Sequence, residues 1–278
     1  MDGSMKAILA RIDGWGAAHA AAAVVDPDGI RASHGDVVRS VRWASVTKPI
    51  TALAVLIAVE RGLIDLDEPA GPPGPPRSTV RHLLGHASGL PFEGDTVLAV
   101  PGRRRIYSNA GFDVLGALVA ERAGRPFDAV LRAWVTELLG MTDTRLEGRP
   151  SEGLNGPLAD LAAFAGECLR PTLVGPASFR AAVTVAFPGL PGVVPGVGRY
   201  DACDWGLGFE LHGSKSPHWM GERNSPATFG HFGGAGSFMW VDPATEVALV
   251  VITDHAFGPW ALDVWPPLSD EVLGVAGH

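Results

Sequence analysis

An α+β fold with two lobes follows from three features of the chain. Strand signals occupy both ends, at 20–43 and 206–253, whereas 78–170 is mostly helical in its apolar spacing. Helical patterns also close the two termini, at 4–15 and 261–275. That order calls for a mainly antiparallel sheet assembled from distant segments and flanked by terminal helices, plus a helical insertion. A cleft then forms where the two parts meet. We expect a single domain over 1–278, one lobe comprising 1–68 with 205–278 and the other, mainly helical, 69–204.

Each element has a local cause. Met5, Ile8, Leu9 and Ile12 recur at helical intervals and mark the first helix. The apolar run 20–25 is β-compatible; Asp26-Pro27-Asp28-Gly29 turns it, and 30–33 returns as the hairpin partner. A further strand is expected over 37–43. From 45 to 61, Ile50, Leu53, Ala54, Ile57 and Ala58 share one helical face, and Gly62 stops the helix. Pro49 falls in or just beyond its first turn, where a missing N–H costs least. The Pro/Gly-rich stretch 69–76 reads as a stiff connector. Helices follow over 78–85, 110–123, 126–139 and 158–169, while 171–204 carries so many Gly and Pro that it resists assignment. Strands return over 206–211, 237–241 and 247–253, with Asp242-Pro243-Ala244-Thr245 as the turn between the last two. The run 247–252 is continuously apolar, as a central buried strand requires.

Composition narrows the function classes. The chain has 278 residues, 46% hydrophobic and 19% charged, enough to bury a full core. A net charge of -8 leaves no basic footprint for nucleic acid or an anionic membrane. The single basic run, Arg103-Arg104-Arg105, reads as a solvated loop. No stretch approaches the ~18 apolar residues of a spanning helix, and the first residues lack the pattern of a secretory signal. Two cysteines, Cys168 and Cys203, make neither a disulfide framework nor a zinc cage. A reduced, cytoplasmic protein is the expectation. Only three Lys and two Tyr occur, so a site that keeps either needs that functional group. Arg cannot substitute for Lys as a base, because its guanidinium does not deprotonate.

Three motifs carry chemistry. In Ser45-Val46-Thr47-Lys48, residues i and i+3 share a helical face, so hydroxyl and amine can meet. A hydroxyl needs a neighbouring base to become a nucleophile, and a desolvated neutral lysine provides one. The start of a helix adds N–H groups that favour a developing oxyanion. In Tyr107-Ser108-Asn109, a phenol near a cationic lysine ionises more easily and can relay protons to a leaving group. Asn109 offers an amide donor and acceptor to a substrate carbonyl or to Lys48. In His231-Phe232-Gly233, expected to open a strand, Gly233 and Gly234 let a substrate lie against the backbone, and the Gly234 N–H can complete an oxyanion hole. Each motif alone has a plain structural alternative: an N-cap serine with a solvated lysine, a turn before a helix, a core histidine on a carbonyl.

Taken in order, the three motifs resemble those of the serine β-lactamase-related family: class C β-lactamases, D-alanyl-D-alanine carboxypeptidases and family VIII esterases. Trp43-Ala44-Ser45-Val46-Thr47-Lys48-Pro49 and Gly62-Leu63-Ile64-Asp65-Leu66-Asp67 are similar to the family's nucleophile helix and its exit. So are 83–91, 139–144 and Gly230-His231-Phe232-Gly233-Gly234 running into Trp240-Val241-Asp242-Pro243. The likeness covers about 20–255 and implies a β-lactamase/penicillin-binding-protein-like fold. It implies Ser45 as the acylated nucleophile, Lys48 and Tyr107 sharing the proton transfers, and Asn109 positioning the substrate. The N–H groups of Ser45 and Gly234 would hold the oxyanion. This chemistry needs no metal or organic cofactor. Two departures matter: His231 stands where many members have a permanently charged lysine, and the middle segment is short.

The expected reaction is therefore acyl transfer through Ser45, hydrolysing a small ester or amide. The alternatives within the family are a β-lactamase, D-amino-acid peptidase or acyltransferase, and outside catalysis an inactive ligand-binding member. The partner is a small-molecule ester, amide or β-lactam. The sequence is silent on oligomeric state. Of the remaining residues, Trp205, Trp219 and Phe232 are candidate cleft walls, Phe232 foremost. His82 and His86 lack a third ligand for a metal, Ser88 reads as a turn residue, and Cys168 as core.

Overall fold

The structure, a computed structural model, describes residues 2–72 and 77–276. Helix α1 (Asp2–Leu9) runs into a 3₁₀ helix (Ala10–Gly14) and leads to the hairpin of β1 (Ala20–Asp26) and β2 (Gly29–Gly35). The short β3 (Val41–Arg42) and a 3₁₀ turn (Ala44–Val46) precede the long α2 (Thr47–Glu60). Then come α3 (Val80–Leu84), α4 (Asn109–Ala123) and α5 (Phe127–Leu131), the last extended by a π-helical turn (Arg132–Thr136). Strands β4 (Arg145–Leu146) and β5 (Leu154–Gly156), α6 (Leu158–Leu169), α7 (Pro176–Ala182) and the hairpin β6 (Gly192–Val194) and β7 (Gly198–Tyr200) complete the middle. The chain closes with β8 (Glu210–Leu211), β9 (Phe229–Phe232), β10 (Phe238–Asp242), β11 (Val247–Thr253) and α8 (Pro259–Ala276).

The main sheet has the order β2-β1-β11-β10-β9-β8, with every neighbouring pair antiparallel. Both of its faces are covered. On one side Ala22, Val24, Leu249, Val251 and Trp240 pack with Leu9, Trp265 and Val272 of the terminal helical segments. On the other, Ala21, Ala23, Val250, Ile252 and Met239 pack with α2 and α6, including Leu161 and Ala165. Successive residues of a strand point to opposite faces, so a strand buried on both must be apolar throughout. That explains the unbroken run of β11, which is central as expected.

Several expectations change. The strand expected over 37–43 shrinks to β3, which pairs with β5 in a separate small sheet. There Val38 N–H is turned onto Asp36 Oδ1 and its side chain is 74% exposed, so the segment starts as a turn. The strand expected over 206–211 is only Glu210–Leu211, because Gly208 adopts a φ of 93°. A Cβ at Gly208 would lie 2.2 Å from Ala52 Cβ, so this turn presses on α2 and only glycine fits. The unassigned 171–204 contains α7 and the β6–β7 hairpin. Of the connector at 69–76, residues 73–76 lie outside the described residues. The basic run is not a solvated loop as a whole: Arg105 is 3% exposed, its guanidinium donating to Gly85 O (2.5 Å) and Cys203 O (2.9 Å).

Candidate active site

The helix expected from 45 begins at Thr47, and Ser45 stands on the 3₁₀ turn just before it. Ala44 holds a φ of 48°, rare for a residue with a side chain, and tilts that turn toward β9. In a 3₁₀ turn i and i+3 eclipse, so the change of helix type keeps Ser45 beside Lys48. Lys48 Nζ lies 3.0 Å from Ser45 Oγ, 2.6 Å from Asn109 Oδ1 and 3.0 Å from Ser151 O. The amine is wholly buried, and burial pulls its pKa from 10.5 down to about 7. The charges of Glu152, Asp113 and Glu93 oppose that fall, and Arg149 adds to it.

These three contacts decide which group is donor. A neutral amine has two N–H bonds and one lone pair. Asn109 Oδ1 and the Ser151 carbonyl can only accept, so they take both N–H groups. The orientation of the Asn109 amide is set by its other end, where Nδ2 donates to Glu93 Oε1 at 2.9 Å. The lone pair is left facing the Ser45 hydroxyl. Arg149 fixes Glu93 in turn, with bonds of 2.6 and 2.7 Å to its two oxygens.

Tyr107 stands over this pair, with Lys48 Nζ 4.7 Å from the centre of its ring. Burial raises its phenol well above the ordinary value, outweighing the contact with Ser45 that favours the phenolate. The easier ionisation expected beside a lysine is therefore overturned: with its hydroxyl desolvated, Tyr107 stays protonated. Its ring backs onto His86 (centroids 4.6 Å apart) and its hydroxyl lies 3.5 Å from His231 Nε2. Burial, and after it the charge of Lys48, pushes His231 down to about 3, so the imidazole is neutral. Its Nδ1 lies 2.7 Å from Phe232 O and must donate there, which leaves Nε2 as an acceptor for the Tyr107 hydroxyl.

The third motif closes β9 instead of opening a strand; His231 and Phe232 are its last residues. Gly233 then packs on the Ser45 turn, where a Cβ would lie 2.1 Å from Trp43 O and 3.1 Å from Ser45 N. Among the described residues neither the Ser45 N–H nor the Gly234 N–H donates to any protein acceptor. A cavity of about 440 Å³ opens here, lined by Ser45, Tyr107, Trp205, His231, Phe232 and Gly234, with Arg42, Glu152 and Glu210 at its sides. Lys48, Asn109 and Gly233 sit behind its wall. Trp219, a candidate wall, is buried in the core between His218, Phe238 and Trp265.

All eight expected residues thus converge. What the sequence did not reveal is the support: the Ser151 carbonyl, Glu93 and Arg149. A backbone carbonyl has no sequence signal, and a carboxylate 16 residues before Asn109 shares no periodicity with it. His82 caps α3 through Thr79, and His86 Nδ1 accepts the Ser108 N–H at 3.1 Å. The Ser88 hydroxyl accepts the Leu90 N–H in a turn, and Cys168 and Cys203 are free thiols. No helix among the described residues is long and apolar enough to cross a membrane.

The comparisons with known proteins agree with this fold and motif order. The family model described as Beta-lactamase matches residues 20–273, and the chain belongs to the beta-lactamase family. A crystal structure of a beta-lactamase from Mycobacterium bovis is 52% identical, with a TM-score of 0.94 over 98% of this chain and 100% of that one. Among curated relatives, esterase EstB of Burkholderia gladioli is 35% identical over 37% of each protein. The D-alanyl-D-alanine-carboxypeptidase/endopeptidase AmpH of Escherichia coli is 26% identical over 40% of this chain and 38% of its own length. These curated matches span little more than a third of those relatives.

Proposed function

We propose that the protein is a serine hydrolase that forms an acyl-enzyme on Ser45 and hydrolyses a small ester or amide. One observation carries the reading: a buried amine, its pKa pulled down to about 7 by burial, lies 3.0 Å from a serine hydroxyl. Ser45 Oγ attacks the substrate carbonyl carbon while its proton passes to Lys48, the first base. The oxygen of the tetrahedral intermediate takes the unengaged N–H groups of Ser45 and Gly234. Collapse breaks the bond to the leaving alcohol or amine, whose departing atom takes a proton from Tyr107; Lys48 then returns its proton to Tyr107. Water attacks the acyl-enzyme by the reverse order, releases the acid and restores Ser45. Asn109 acts by holding Lys48, since its amide is taken up by Lys48 and Glu93.

A second reading, a β-lactamase, is favoured by the name of the Mycobacterium bovis neighbour. Against it stands the neutral His231, which offers no permanent cation to a β-lactam carboxylate. Fluorophosphonate labelling followed by intact mass tests the core of the proposal: one adduct is expected on the native chain and none on Ser45→Ala. Absence of labelling on the native chain, together with no turnover of p-nitrophenyl butyrate, defeats it and leaves a ligand-binding protein. Turnover of a chromogenic cephalosporin without turnover of the ester selects the β-lactamase.

A further inference from the structure

A second cavity, of about 510 Å³, adjoins the first and shares Phe92, Tyr107 and Pro195 with it. Ser45 does not line it; Arg104, Arg105 and Arg199 do, with Asp201 the single carboxylate. In a chain of net charge -8 such a concentration of cations is unexpected. Arg105 is buried and its guanidinium donates only to carbonyl oxygens, with the charge of Asp204 acting on it without a direct ion pair. Among the described residues Arg104 and Arg199 form no ion pair, whereas Arg81, Arg122 and Arg149 each hold a carboxylate. The rest of the wall is apolar, with Phe92, Leu98 and Val193 each 43–54% exposed at its edge. Apolar walls around a few convergent cations fit an organic carboxylate better than a neutral or cationic group.

Resting on the hydrolase reading, we infer that this cavity is the subsite for the leaving alcohol or amine, and that the preferred leaving group carries a carboxylate on an apolar body. The side is assigned from Tyr107: the phenol that protonates the departing atom in the proposed mechanism lines this cavity, whereas the acylated Ser45 lines only the first. Arg104 and Arg199 face the carboxylate, and Arg105 adds a fixed positive field behind them. Both facing arginines are exposed, so the attraction is modest and weakens with salt.

The test compares three esters: the butyrate of 4-(hydroxymethyl)benzoate, the butyrate of 4-(hydroxymethyl)benzamide, and benzyl hemisuccinate, whose carboxylate lies on the acyl side. The benzoate ester is expected to exceed the benzamide ester in kcat/KM by about fivefold at low salt. The Arg104→Gln/Arg199→Gln variant should erase that ratio. Equal rates for the first two esters, or a ratio untouched by the double variant, overturn the inference. A loss confined to benzyl hemisuccinate overturns the assignment to the leaving side. Calorimetry of 4-(hydroxymethyl)benzoate against 4-(hydroxymethyl)benzamide on Ser45→Ala probes the subsite without turnover. Tighter binding of the carboxylate, lost in the arginine double variant, supports the subsite even if no ester is cleaved, whereas equal binding rejects it.

Discussion

Lys48 is the residue on which the pH behaviour turns. In the proposed mechanism its neutral form is the base, so kcat/KM should rise as pH climbs through about 7. The carboxylate of Glu152 favours the ammonium form. Replacing it, Glu152→Gln, removes that stabilisation, and the acid limb of the pH–rate profile should move to lower pH. A limb that stays in place or moves upward rejects Lys48 as the titrating base. Lys48→Ala should cost about 10²–10⁴-fold in kcat/KM, measured with p-nitrophenyl butyrate. Gly233 makes a steric prediction at the same scale. A methyl there meets Trp43 O at 2.1 Å, and backbone cannot swing away as a flexible side chain can. Gly233→Ala should push the Ser45 turn off β9 and lower kcat/KM by about 10²-fold or more, with the circular dichroism spectrum retained.

At the scale of elements, the edge strand β8 carries a buried charge cluster. Glu210 lies 2.9 Å from His218 Nε2, accepts from Trp219 Nε1 at 2.8 Å, and has Lys215 Nζ 3.5 Å away, all buried. Burial alone would raise the carboxyl; the charges of Lys215 and His218 and the two hydrogen bonds outweigh it and hold it near 2. In the unfolded chain the group titrates near its ordinary 4.5, so between those values the unfolded state binds more protons. The cluster's stabilisation is therefore complete above about 4.5 and is lost as pH falls toward 2. Glu210→Ala strands Lys215 in the interior and should destabilise by about 3–5 kcal/mol, read by urea unfolding at pH 7. The same variant should flatten the dependence of stability on pH between 4.5 and 2. The loop that joins β4 to β5 is tied to α2 without charge: Leu154 N–H donates to Thr47 Oγ1 and Thr51 Oγ1 to Pro150 O, which fixes Ser151 over Lys48.

For the whole molecule, β11 pairs with β1 across more than two hundred residues, and α1 packs on α8. Removing 2–35 would strip β1 and β2 from the sheet and leave β11 as an apolar edge. Such a truncation should be insoluble on expression, an outcome that centrifugal fractionation and circular dichroism of the supernatant would check. The terminal helices, the hairpin at Asp26–Gly29, the long helix after Ser45, the central character of β11 and the three motifs of the candidate site were legible from the chain, because each rests on spacing within one segment. Val37 to Trp43 and Gly206 to Leu211 misled, because whether a short apolar stretch pairs depends on what lies beside it. The amine's low pKa, the protonated phenol, the neutral His231 and the cationic second cavity were not legible either. Charge states depend on burial and on neighbours brought from distant segments, and only folding makes those neighbours. The sequence alone determined which hydroxyl, amine, phenol and imidazole the candidate site contains; the tertiary structure decided which of them are buried together and how burial shifts their protonation, since desolvation acts on positions in space and has no counterpart along the chain.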